Sequence, residues 1–138
     1  MEKLTMRCET LQKALETLAE SLQRHESKTF SNYQEWRDSL IQRFEYSADT
    51  FWKYLKDYLQ VTMNVELEVA RPRSILKECA ETKIITQDEF EQCILLIESR
   101  NMTSHGYNEP LAEEISKKIP HYYELMNTIV MRLGSCKK

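Results

Sequence analysis

The stretch Glu2-Lys3-Leu4-Thr5-Met6-Arg7-Cys8-Glu9-Thr10-Leu11-Gln12-Lys13-Ala14-Leu15-Glu16-Thr17-Leu18-Ala19-Glu20-Ser21-Leu22 decides which kind of fold the chain can adopt. Its apolar positions Leu4, Cys8, Leu11, Leu15, Leu18 and Leu22 recur at alternating spacings of four and three, which places them in one seam of a helix over about residues 2 to 25. A helix with a single apolar seam is marginal alone in water and needs other helices to cover it.

The rest of the chain supplies those helices. After a polar break at Glu26 to Asn32, with Asn32 as N-cap, a second helix is expected to run to about Met63. Trp36, Leu40, Ile41, Phe44, Ala48, Phe51, Trp52, Leu55 and Leu59 fill one half of its wheel, and Glu35, Asp38, Gln42, Asp49, Lys53, Lys56 and Gln60 the other. At roughly 45 Å such a helix outlasts a minimal bundle core and leaves surface for a partner. Val61, Met63, Val65, Leu67 and Val69 alternate like a strand, but no second strand-like run exists to pair with them, so they read as an extended linker. Pro72 opens a short helix over about 72 to 82. Thr86 and Glu89 form a capping box for a helix from Gln87 to Ser104, with Gly106 as its left-handed cap. A last helical region starts near Asn108-Glu109-Pro110, is expected to break at Pro120, and resumes through Tyr122, Leu125, Met126, Ile129, Val130 and Leu133 to stop at Gly134. The fold class is all-α, an antiparallel bundle of about five helices in a single domain over 1–138.

Composition agrees. A compact chain of 138 residues hides roughly two-thirds of its unfolded surface, and only two Gly and three Pro leave room for few turns. The net charge of −3 argues against wholesale electrostatic binding of nucleic acid, so any contact with RNA must be local. Cys8, Cys79, Cys93 and Cys136 have no CxxC spacing and no neighbouring His, which predicts reduced thiols, no zinc and no disulfide frame. No other metal or cofactor is implied. Without a signal-peptide core near the N-terminus or an apolar run approaching a membrane span, the protein is expected in the cytoplasm, away from membranes.

Chemistry concentrates in Arg100-Asn101-Met102-Thr103-Ser104-His105-Gly106-Tyr107. A guanidinium can fork onto a phosphate, an imidazole can move a proton near neutral pH, and a phenol can be modified. The plainer reading is that Arg100 and His105 complement the negative end of the helix dipole, with Gly106 as cap. On the wheel Asn101 falls in the middle of the apolar stripe and Arg100 at its edge, so both are expected to be at least half buried and Arg100 to require an anion or a set of acceptors. Arg71, Arg73 and Lys77 form a small basic cluster that could guide a strand or a nucleotide phosphate, or could be a solvated face. His25 and His121 read as surface residues.

Arg71-Pro72-Arg73-Ser74, the run from Arg100 through Glu109, Ala112-Glu113-Glu114-Ile115 and Ile119-Pro120 together resemble the HEPN family over essentially the whole chain. The closer resemblance is to its HepT-like branch, the nucleotidyltransferase substrate-binding proteins. That resemblance implies a homodimer in which two Arg/His motifs meet as one metal-independent endoribonuclease site of a toxin–antitoxin pair. It also implies a cognate minimal nucleotidyltransferase that neutralises the toxin by adenylylating a tyrosine. Carried over by position, Arg100 and His105 are the catalytic pair, Asn101 supports them, Tyr107 accepts AMP, and RNA is the substrate. Cleavage without a metal needs a base, an acid and a cation, and two copies supply two imidazoles and two guanidiniums. The alternative is a non-catalytic subunit that binds a nucleotide or substrate for a two-component nucleotidyltransferase. A purely architectural helical dimer would make the motif a coincidence.

Overall fold

The protein, in a computed structural model, folds into α1 (Glu2–Ser27), α2 (Tyr33–Val61), α3 (Pro72–Glu81), α4 (Gln87–Met102) and α5 (Glu109–Leu133). The structure describes residues 2–27, 33–104 and 108–134, for 24–27 the backbone alone. The α1 seam is buried from Leu4 through Leu18, with Leu22 half-buried at its end. It packs along α2, as the apolar stripe of α2 requires: Leu40, Phe44, Ala48, Phe51, Leu55 and Leu59 are all buried, Trp36 with them, while Ile41 and Trp52 are half-buried. With 29 residues α2 is about 44 Å long, and it touches every other helix.

Polar ties give the directions. Trp36 Nε1 donates to the Ser21 carbonyl (2.6 Å), Arg43 Nη1 to the Thr17 carbonyl (2.8 Å), and Arg7 Nε to Asp57 Oδ2 (2.9 Å). Positions on α1 fall as those on α2 rise, so the two are antiparallel. The same holds for α4 and α5, where Glu89 meets Arg132 and Ser99 meets Tyr122. In contrast α2 and α5 run parallel, since Tyr33 meets Glu113 and Phe44 stacks on Tyr122 at 5.5 Å. The expected antiparallel order thus holds for these pairs of chain neighbours but not for the α2–α5 pair.

The short segments behave as local chemistry dictates. Pro72 stands in the first turn of α3. At α4 the Thr86 hydroxyl accepts from the Glu89 N–H (3.0 Å) while the Glu89 carboxylate accepts from the Thr86 N–H (2.9 Å). Between α2 and α3 the chain is irregular, turning at Asn64 (φ 55°) so that the Val65 N–H returns to the Leu59 carbonyl at 2.9 Å; Val65 and Leu67 are half-buried, and no strand forms among the described residues. Gly134 ends α5 at φ 61°, its N–H bonded to the Val130 carbonyl at 3.1 Å.

Three expectations need correction. Pro120 does not interrupt α5, which continues through it. The ring sits on the exposed side while Ile119 and Tyr122 are buried on the other, so packing on both flanks outweighs one lost backbone bond. α4 ends at Met102 rather than Ser104, because the Thr103 and Ser104 hydroxyls turn back onto the Arg100 and Asn101 carbonyls at 2.7 Å each. Asn32 and Gly106, the expected caps, lie outside the described residues. Finally, Cys79 and Cys93 are free and buried but Cys8 is disulfide-bonded, so the thiols are not all reduced. No helix among the described residues is long and apolar enough to cross a membrane.

Candidate functional site

The last turn of α4 brings Arg100 against the middle of α2. Its Nε and Nη2 reach Asp49 Oδ1 and Oδ2 at 3.0 and 3.1 Å, a two-pronged carboxylate contact, and Nη1 lies 3.4 Å from Glu45 Oε2 and 3.2 Å from Thr103 Oγ1. The Thr103 hydroxyl also stands within hydrogen-bond reach of Glu45. With its side chain only 25% exposed, Arg100 has found the anion its position demanded. The hydrogen bonds to Asp49 hold its pKa above the usual arginine value, against the opposing pull of burial.

Glu45 and Asp49 were not readable as partners from the sequence, which put Asp49 on the solvated half of α2. Their spacing of four, one helical turn, is the only signal, and it gains meaning only once α4 is known to cross there. Asn101 is exposed, not buried among the apolar stripe, because the stripe runs past the end of the surface that α4 packs on. His105 and Tyr107 lie outside the described residues.

The residues that flank them, Ser104 and Asn108, both line a cavity of about 430 Å³ between α2 and α5, to whose lining Met102 and Thr103 also belong. The opposite walls are Asp38, Ile41, Gln42 and Glu45 from α2 and Asn108, Leu111, Ala112 and Ile115 from α5. Next to it sits a second charge cluster that the sequence did not disclose. Arg37, its side chain only 3% exposed, lies 3.3 Å from Glu113, 3.8 Å from Glu109 and 3.8 Å from Asp38. The Tyr33 hydroxyl donates to Glu113 (2.8 Å), and this bond, with Arg37, holds the Glu113 carboxyl below the ordinary range.

The basic cluster does not join this site. Arg71, Arg73 and Lys77 are exposed, Arg71 at the start of α3. Arg73 is engaged by Glu98 at 2.8 Å, and Glu98 stands about 200° around α4 from Arg100. His121 is exposed and bonded to Gln92 at 2.9 Å, away from the cavity lining. No group of three or more metal-ligating side chains occurs among the described residues.

The family model for nucleotidyltransferase substrate binding protein-like chains matches residues 6–135. The chain belongs to that family. This substrate-binding-protein fold is shared with a protein of Thermus thermophilus known from its crystal structure, at 34% identity and a TM-score of 0.77, over 90% of this chain and 98% of that one. No curated protein matches the chain. For a member of this family the cavity beside Arg100 is the natural candidate site, since it is concave, partly apolar and edged by polar groups.

Proposed function

We propose that the protein is a non-catalytic binding subunit that associates with a nucleotidyltransferase and presents a substrate to it from the cavity between α2 and α5. The observation that carries this reading is the state of Arg100. Four hydrogen bonds from its guanidinium run to protein acceptors, two of them a bidentate grip on Asp49, and a guanidinium has five N–H groups in all. A phosphate clamp would have to break contacts with Asp49 and Glu45 before it could work. The membership of the chain in a family named for substrate binding beside nucleotidyltransferases supports the same reading.

A second reading has its own support. The Arg100 to Tyr107 run resembles the HEPN-type pattern, and Leu95 (48% exposed) and Met102 (45% exposed) leave apolar surface on the side of α4 away from Arg100 where a second copy could pack. In that reading a homodimer brings together two Arg100/His105 pairs for metal-independent RNA cleavage, and a cognate minimal nucleotidyltransferase silences it by placing AMP on Tyr107.

Incubating the purified protein with RNA, alone and with the cognate nucleotidyltransferase, separates the two. A stable complex with intact RNA is expected. RNA cleaved by the wild type, resistant to chelators and abolished by His105→Ala, would instead establish the ribonuclease.

A further inference from the structure

We propose that Cys8 is joined to Cys136, and that the bond is a redox-sensitive clasp over the end of the bundle remote from the cavity, closed by a disulfide oxidant and opened by a small thiol such as glutathione. The pairing follows from what the described cysteines exclude. Within this single chain Cys8 is disulfide-bonded, whereas Cys79 and Cys93 are free. The sequence has four cysteines, so Cys136, which lies outside the described residues two positions past Gly134, is the partner that remains. Topology agrees. α1 runs antiparallel to α2 and α2 parallel to α5, so the first turns of α1 lie toward the end of the bundle where α5 stops. α1 and α5 are also in direct contact. Gly134 closes α5 in the left-handed conformation, which turns the chain off the helix axis just before the cysteine.

Two features make the bond a clasp that can open. Cys8 belongs to the apolar seam, fully buried in line with Leu4 and Leu11, and a reduced cysteine is a small apolar side chain that fills the same place. Opening therefore leaves the core packed, and the oxidised and reduced chains share one fold. The other two thiols, moreover, cannot take over the bond: burial pushes Cys79 and Cys93 up to about 12, so neither offers a thiolate near neutral pH. Exchange is confined to one pair. With the Cys8 sulfur sealed from solvent, a reductant thiolate attacks the other sulfur, forms a mixed disulfide with Cys136 and expels the Cys8 thiolate, which takes up a proton. A second reductant thiol then frees Cys136 and leaves as the disulfide of the reductant. Glutathione disulfide reverses both steps. The bond closes nearly the whole sequence into one loop, the case in which a cross-link restricts the unfolded chain most. In a reducing compartment the clasp rests open and closes under oxidative load, the use to which intracellular disulfides are commonly put.

The full chain is equilibrated across a series of glutathione to glutathione disulfide ratios, quenched in acid, alkylated in denaturant and mapped by mass spectrometry. At the oxidised end only Cys79 and Cys93 should be alkylated, beside a peptide linking Cys8 to Cys136; at the reduced end all four should be. The oxidised chain should melt about 10 °C above the reduced one, with the same helical circular dichroism before melting. Cys136→Ser, which leaves Cys8 in the seam, should melt with the reduced wild type at every ratio. The proposal is overturned by four alkylated cysteines throughout the series, by a linked peptide that contains Cys79, Cys93 or a second copy, or by a bond that survives the reduced end. Equal melting of the two wild-type forms, or a Cys136→Ser chain that still responds to the ratio, overturns it as well.

Discussion

Arg100 shows what a single side chain can and cannot disclose before the fold is known. Its place at the edge of an apolar stripe predicted that it needed an anion or a set of acceptors, and the structure supplies Asp49 and Glu45. Breaking the two-pronged contact should cost about 1–2 kcal/mol, more than an ordinary exposed pair because Arg100 is three-quarters covered. Thermal unfolding of Asp49→Asn or Arg100→Ala should fall by about 5 °C, and Arg100→Lys should recover only part of it, since an ammonium has no fork. An unchanged midpoint for all three would mean that the pair is ornamental. A second pair gives a pH dependence. Arg132 donates to both Glu89 carboxylate oxygens at 2.8 Å, which holds the Glu89 carboxyl below the ordinary glutamate value. A carboxyl whose folded pKa is depressed stabilises the fold above its unfolded pKa, and loses that contribution as pH falls through the folded value. Glu89→Gln should therefore be less stable than the wild type by about 1 kcal/mol at neutral pH, and the gap should close as pH falls through the depressed folded value, read by chemical denaturation. A gap that persists in acid would assign the effect to the capping geometry instead.

At the scale of the helix, periodicity carried most of the information. The seam of α1 and the stripe of α2 were legible because an amphipathic helix writes its buried face every three or four residues, and the Thr86 capping box and Gly134 stop were legible because each depends on adjacent residues. What failed needed tertiary knowledge. Pro120 is a strong local breaker, yet the helix passes through it because Ile119 and Tyr122 are anchored by neighbours far away in sequence. Likewise Asn101 obeyed the stripe and escaped burial only because α4 outruns its partners, and Glu45 and Asp49 acquired a role only from the crossing of α4 over α2. The cost of Pro120 has a measurable counterpart: Pro120→Ala restores a backbone donor on an exposed face and should raise stability by about 1–3 kcal/mol, read as a higher denaturant midpoint. Lower stability in that variant would show that proline's restriction of the unfolded chain outweighs the lost backbone bond.

For the molecule as a whole, exposed apolar side chains are the open question. Leu95 and Met102 lie on one side of α4 at i and i+7, and Met131 is 66% exposed on α5. Under the ribonuclease reading the α4 face is covered by a second copy, so light scattering at micromolar concentration should return twice 16.5 kDa, and Leu95→Glu should return the monomer mass. A wild-type monomer would remove any site built from two copies. The α3–α4 seam holds a reporter of a different kind. Cys79 and Cys93 are wholly buried, and burial pushes each thiol up to about 12. At neutral pH neither presents a thiolate to solvent, so an alkylating reagent can react only after the seam has parted. Labelling at these two positions thus works as a clock for breathing of the α3–α4 unit: its rate, measured with and without a bound partner, gives the free energy of that opening and reveals whether association tightens this pair of helices.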